Sequence, residues 1–105
     1  MQWIKSLRIG KKVKNSENII KLLDESLSVY GIYCICIRKQ SSNLFEIIHS
    51  IEIFKKVHKQ EELLVVGLAD GKKEAFLMIH EIIQEYILEH GNLQNFKENT
   101  LKRTV

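Results

Sequence analysis

Residues 62–91, ELLVVGLADGKKEAFLMIHEIIQEYILEHG, decide how this chain is read. Leu63 to Ala69 is an apolar run with no polar alternation. A short run of that kind, rich in branched side chains, suits a strand covered on both faces. Asp70-Gly71 stops it. An aspartate there is placed to cap a following helix by accepting from an early backbone N–H. Ala75, Ile79, Ile82, Ile83 and Tyr86 then recur at helical spacing, and Phe76 and Leu77 widen the stripe. Gly91 stands where a left-handed residue would end the helix.

Working outward, residues 30–39, YGIYCICIRK, form the second strong strand. Ile32, Cys34 and Cys36 fall on one face and Tyr33, Ile35 and Ile37 on the other, which again argues burial on both sides. Gln40-Ser41-Ser42-Asn43 is a turn-forming cluster. Residues 44–50, LFEIIHS, return as a hairpin partner whose Glu46 and His49 suit a sheet edge. Ser50 then caps a short helix through about residue 59. A helical reading of all of 44–59 competes with this. Toward the N-terminus, Asn15 or Ser16 opens a helix carrying Ile19, Ile20, Leu22, Leu23 and Leu27. Residues 2–9, QWIKSLRI, read as a short helix, although the alternation of Trp3, Leu7 and Ile9 with polar residues also accommodates a strand. After Gly91, Phe96 docks a final helical turn and residues 97–105 read as a flexible tail. The expected fold is a single α+β domain in the order α-α-β-β-α-β-α. Its sheet has three mainly antiparallel strands in the order 2-1-3.

The pattern LLVVGLADGKKEAFLMIHEIIQEYILEHG, with EIIHS upstream, resembles a group of small bacterial α+β proteins of no assigned function. The resemblance covers about the last two thirds of the hairpin-to-helix region. It implies no activity, cofactor or site residue.

The chain has 105 residues, 45% apolar and 28% charged, which suits one globular domain with one modest core. No apolar run approaches the ~20 residues that span a bilayer, and no secretory signal is visible. Two cysteines make no disulfide framework. The expectation is a cytoplasmic protein with no membrane contact. The net charge of +3 is unevenly laid out. Residues 1–14 carry Lys5, Arg8, Lys11, Lys12 and Lys14 with no acid, residues 15–96 hold eight bases against twelve acids, and residues 97–105 are basic again. The basic segment 1–15 is therefore the candidate contact for nucleic acid or another anion, with solvated termini as the plainer reading.

Three motifs invite chemistry. Gly67 and Gly71 flank a strand-to-helix turn followed by Lys72-Lys73, but three residues separate the glycines where a phosphate loop has four, and Lys72-Lys73 is followed by Glu74 instead of the loop's serine or threonine. His80-Glu81 is followed by Gln84, so the zinc-protease helix lacks its second histidine. Cys34-x-Cys36 lies in a strand and reads as two small buried hydrophobes. A four-residue hairpin loop would set Cys34 opposite His49, a minimal thiol–imidazole pair with no third orienting group. No cofactor or metal is called for. The expected function is a small non-enzymatic interaction module, bound to a protein partner or to itself as a homodimer. A weak nucleic-acid-binding regulator comes second and a Cys/His enzyme third.

Overall fold

Strand β1 (Gln2–Ile9) opens the chain, followed by helix α1 (Ser16–Asp24), strands β2 (Ile32–Arg38) and β3 (Glu46–His49), and helix α2 (Ser50–Ile53). A single 3-10 turn leads into strand β4 (Leu63–Asp70), then helices α3 (Lys72–His90) and α4 (Phe96–Leu101). This is the architecture of a computed structural model that describes residues 1–104. The sheet has four strands in the order β1-β4-β2-β3. β1 runs parallel to β4, while β2 is antiparallel to both of its neighbours.

The expected three-stranded sheet, and the α-α-β-β-α-β-α order with it, are thereby corrected. Residues 2–9 are a strand and not a helix. The reason lies in β4, which is buried at every position from Leu63 to Ala69. At an edge, such a strand would leave a row of backbone N–H and C=O groups without partners in an apolar setting. β1 supplies those partners. Its alternation serves two faces, Ile4 packing on the α3 side and Trp3 and Ile9 on the α1 side. β1 is not regular: Trp3 pairs with Val65 and Arg8 with Gly67, so residues 4–7 bulge from the ladder. There the chain's last described residues close in. Lys5 N–H donates to Arg103 O at 2.7 Å, and Ile4 bridges Thr104.

Each sheet face has its own core. Ile19 and Leu23 of α1 and Ile53 of α2 pack on Cys34, Cys36, Val65 and Leu68. Ala75 and Met78 of α3 and Phe96 of α4 pack on Ile35, Ile37, Leu64 and Val66. Both sheet faces are thus covered within one chain.

The local devices also differ from expectation. Asp70 does not cap α3, whose first residue follows Gly71 at φ 93°. Instead Glu74 reaches back, its Oε1 accepting from Asp70 N–H at 2.8 Å. The helix expected to run from 50 to 59 is one turn, Ser50–Ile53. Its cap is His49, whose Nδ1 lies 3.0 Å from Ile51 N–H. Ser50 is buried, and its hydroxyl accepts from Val29 N–H at 2.9 Å. Gly91 closes α3 in the left-handed conformation at φ 85°.

Candidate functional site

The thiol–imidazole pair does not assemble. His49 stands opposite Tyr33, and Cys34 stands opposite Ile48. The hairpin register differs by one residue from the one that would pair them. In a strand, one residue turns the side chain to the other face. Cys34 therefore lies in the α1-side core, while the His49 ring meets Tyr33 edge-on, centroids 4.8 Å apart. Both cysteines are free and fully buried. Burial pushes the Cys34 thiol up to about 12. It also holds the Cys36 thiol well above its ordinary range, and Cys34 and Glu46 beside it add to the rise. Thiols so disposed are neutral, with little nucleophilic character.

Among the described residues, no group of three or more His, Cys, Asp or Glu side chains is arranged to hold a metal ion. No helix there is long and apolar enough to cross a membrane. Every buried side-chain nitrogen or oxygen among those residues has a hydrogen-bond partner.

The five basic candidates separate into two groups. Arg8 turns toward α3, where it pairs with Glu85 and stands 3.7 Å from Glu81. Its charge is offset at the rim of a cleft of about 380 Å³ between β1, α3 and α4. Ile4, Val66, Phe45 and Phe96 line that cleft, and Arg103 stands at its margin. Lys5 lies beside the same C-terminal segment. Lys11, Lys12 and Lys14, all exposed, sit instead in the turn after β1. Because β1 and β4 are parallel, that turn lies beside the turn between β4 and α3. Glu74 joins the two, Oε2 accepting from Lys12 N–H and Oε1 from Asp70 N–H, each at 2.8 Å. Exposed Lys72 and Lys73 thereby share one end of the molecule with the three lysines of the N-terminal turn. A window of sequence hides this, since the two groups are some sixty residues apart.

The most conspicuous surface is the outer face of α3. Ala75 and Met78 face the sheet and are buried. Phe76 is 62% exposed, Leu77 56% and Leu88 87%, with Ile87 also exposed. Phe76, His80, Ile83 and Ile87 follow each other at spacings of four, three and four, a seam on one side of the helix. A helix apolar on two sides is normally covered on both. The apolar neighbours Phe76-Leu77, Ile82-Ile83 and Ile87-Leu88 carry the signal in the sequence. Adjacent residues point about 100° apart on a helix, so both members of each pair cannot face the sheet.

A second polar group sits at the β3 edge. Arg38 donates to both carboxylate oxygens of Glu46, at 2.8 and 3.0 Å, and to His58 Nδ1 at 2.9 Å. The bidentate bond to Arg38 holds the Glu46 carboxyl below its ordinary value, against the opposing effect of burial. A paired and satisfied cluster of this kind fastens β2, β3 and the loop after α2 together.

Comparison with protein-family models, with curated proteins and with solved structures finds no match for this chain.

Proposed function

We propose that the protein is a non-catalytic interaction module that pairs with a second copy of itself through the outer face of α3. The observation carrying this reading is the run of exposed apolar side chains on one helix, Phe76, Leu77, Ile87 and Leu88. Isolated exposed apolar residues are ordinary, but two exposed apolar pairs on one helix, linked along one side by the half-buried Ile83, make a docking surface. Both sheet faces are covered within the chain, so the apolar surface left for self-association is on the helix.

The seam suits a two-fold partner. An axis crossing α3 between Glu81 and Ile82 sets Phe76 of one copy against Ile87 of the other. The same axis sets His80 against Ile83. Such a contact is self-complementary and closes at two copies. The helices run antiparallel across it, so each positive helix end lies beside a negative one.

Sedimentation velocity across about 5–200 µM, the range of a moderate homodimer, tests the proposal. The expected species has twice the 12.3 kDa of the chain. Phe76→Glu combined with Leu88→Lys should give a monomer with unchanged circular dichroism. A wild-type monomer throughout the range, or a dimer that survives both substitutions, would overturn it.

A further inference from the structure

We infer that the end of the molecule where β1 and β4 finish is a docking surface for single-stranded nucleic acid. It adjoins the N-terminal end of the α3 seam, because Lys72 and Lys73 lie one turn before Phe76.

Two chain segments build it. Lys11, Lys12 and Lys14 come from the turn after β1, and Lys72 and Lys73 from the first turn of α3. The segments are held in register by the Glu74 carboxylate, bonded to Asp70 N–H and Lys12 N–H. All five lysines are exposed, and none is in an ion pair among the described residues. Glu74 is the acid nearest the centre of the group, and its oxygens are committed to backbone donors. Asp70, Glu17 and Glu52 are exposed acids at this end, and Glu52 is paired with Lys55. The lysines therefore outnumber the free carboxylates, and the local field is positive on a body whose residues 15–96 carry net negative charge.

An exposed aromatic ring stands at the same end of the molecule. Gly31 O accepts from Gly71 N–H at 3.0 Å, which holds the start of β2 against the start of α3. Tyr30, next in the chain to Gly31, is 89% exposed. Its ring meets His49 at a steep angle, with centroids 6.0 Å apart, and is otherwise open to solvent. A phenol that exposed contributes nothing to the core. An open aromatic face at the same end of the molecule as five unpaired lysines fits a strand whose bases are unstacked and whose phosphates follow the cations, although Asp70 and Glu52 are the charged groups nearest the ring. A duplex keeps its bases stacked internally and offers nothing to Tyr30. A membrane surface would be met by a group of apolar side chains among the lysines, and Tyr30 is a single ring.

The Lys5 and Arg8 side chains are excluded from this surface. Arg8 is neutralised by Glu81 and Glu85, and Lys5 sits at the bulge of β1 beside Arg103. This separates the inference from a flexible basic N-terminal arm, in which all five N-terminal bases would count equally.

The test is fluorescence anisotropy of the full chain with a labelled oligothymidylate of about 12 nucleotides, in about 50 mM salt. With five phosphates neutralised, log affinity should fall with log salt at a slope of roughly −3.5. Lys72→Glu with Lys73→Glu should weaken binding at least tenfold, as much as Lys11→Glu with Lys12→Glu. Lys5→Glu should change it less than twofold. Tyr30→Ala should weaken it about tenfold without changing the slope, and Asp70→Asn should strengthen it. All variants should keep the wild-type circular dichroism. Three results would overturn the inference: no binding in low salt, an unaffected Lys72/Lys73 double variant, or binding to phosphatidylserine vesicles with none to the oligonucleotide.

Discussion

Glu74 and Gly10 are in direct contact, and the contact needs the glycine. A methyl group at Gly10 would lie 2.0 Å from Glu74 Oε1 and 2.4 Å from its carboxyl carbon. The carboxylate passes over a bare backbone to reach the two N–H groups it accepts from, one in each turn. Glu74→Ala would leave both donors to solvent and should cost about 1–2 kcal/mol, the scale of partly exposed hydrogen bonds to a charged acceptor. Gly10→Ala should cost a similar amount by pushing the same carboxylate aside. In a double variant the two losses should not add, because they remove one interaction. Chemical denaturation of the four proteins checks this, and full additivity would refute the shared cause.

The two cysteines should resist labelling in the native state. Their thiols are fully buried, and Cys34 is raised from 9.0 to about 12. A folded-state value above the unfolded one favours the neutral thiol in the native protein. Stability from this source is complete below the unfolded value of 9.0 and is lost as pH rises toward 12. Labelling at pH 8 should therefore proceed at the rate of global opening. A Cys34→Ala, Cys36→Ala variant should lose less stability between pH 9 and about 11 than the wild type. Rapid native-state labelling of either thiol would contradict the burial of β2.

The Arg38–Glu46 bond should act in the opposite direction. The folded-state value of Glu46 lies below the ordinary 4.5, chiefly through its hydrogen bond to Arg38. A lowered carboxyl contributes stability above the unfolded value and loses it as pH falls through the folded one. Glu46→Gln should therefore be less stable than wild type at pH 7, by about 1–2 kcal/mol for a partly buried pair. The difference should shrink progressively below pH 4.5. Urea denaturation midpoints at pH 7 and pH 3 measure it, and a gap that stays constant would show that the bond carries no linkage.

Gly67 marks the tightest point of the second core. A Cβ there would lie 2.5 Å from Met78 Sδ and 3.3 Å from Ile35 Cδ1. Gly67→Ala should destabilise by about 1–3 kcal/mol through overpacking. In a Met78→Ala background, where the thioether is gone, the same change should cost much less. Thermal melts of the four proteins give the coupling, and equal costs in both backgrounds would dismiss the steric account.

Much of this was legible from residues alone. An apolar run such as 63–69 cannot be stable in water unless both faces are covered, so burial of β4 follows from its composition. The same holds for the Cys34–Ile37 centre of β2. The end of α3 at Gly91 and the turn at Asp70-Gly71 are local chemistry and need no partner to be seen. The failure at residues 2–9 is instructive because eight residues carry two periodicities. Trp3, Ile4 and Leu7 share a helical face, and Trp3, Leu7 and Ile9 share a strand face. Propensity does not separate these readings. The unpaired edge of β4 does, and it belongs to a segment some sixty residues away.

What sequence by itself determined is where water must be excluded: from both faces of β2 and β4 and from one side of α3. Only the tertiary structure decided which residues meet. It set His49 opposite Tyr33 and not Cys34, because register depends on the geometry of the hairpin loop, and a one-residue change sends every side chain to the other face. It turned Phe76 and Leu88 outward, because the sheet is wide enough to cover only one side of α3. It brought Lys12 beside Lys72, because two parallel strands finish at the same end of a sheet, whatever the length of chain between them.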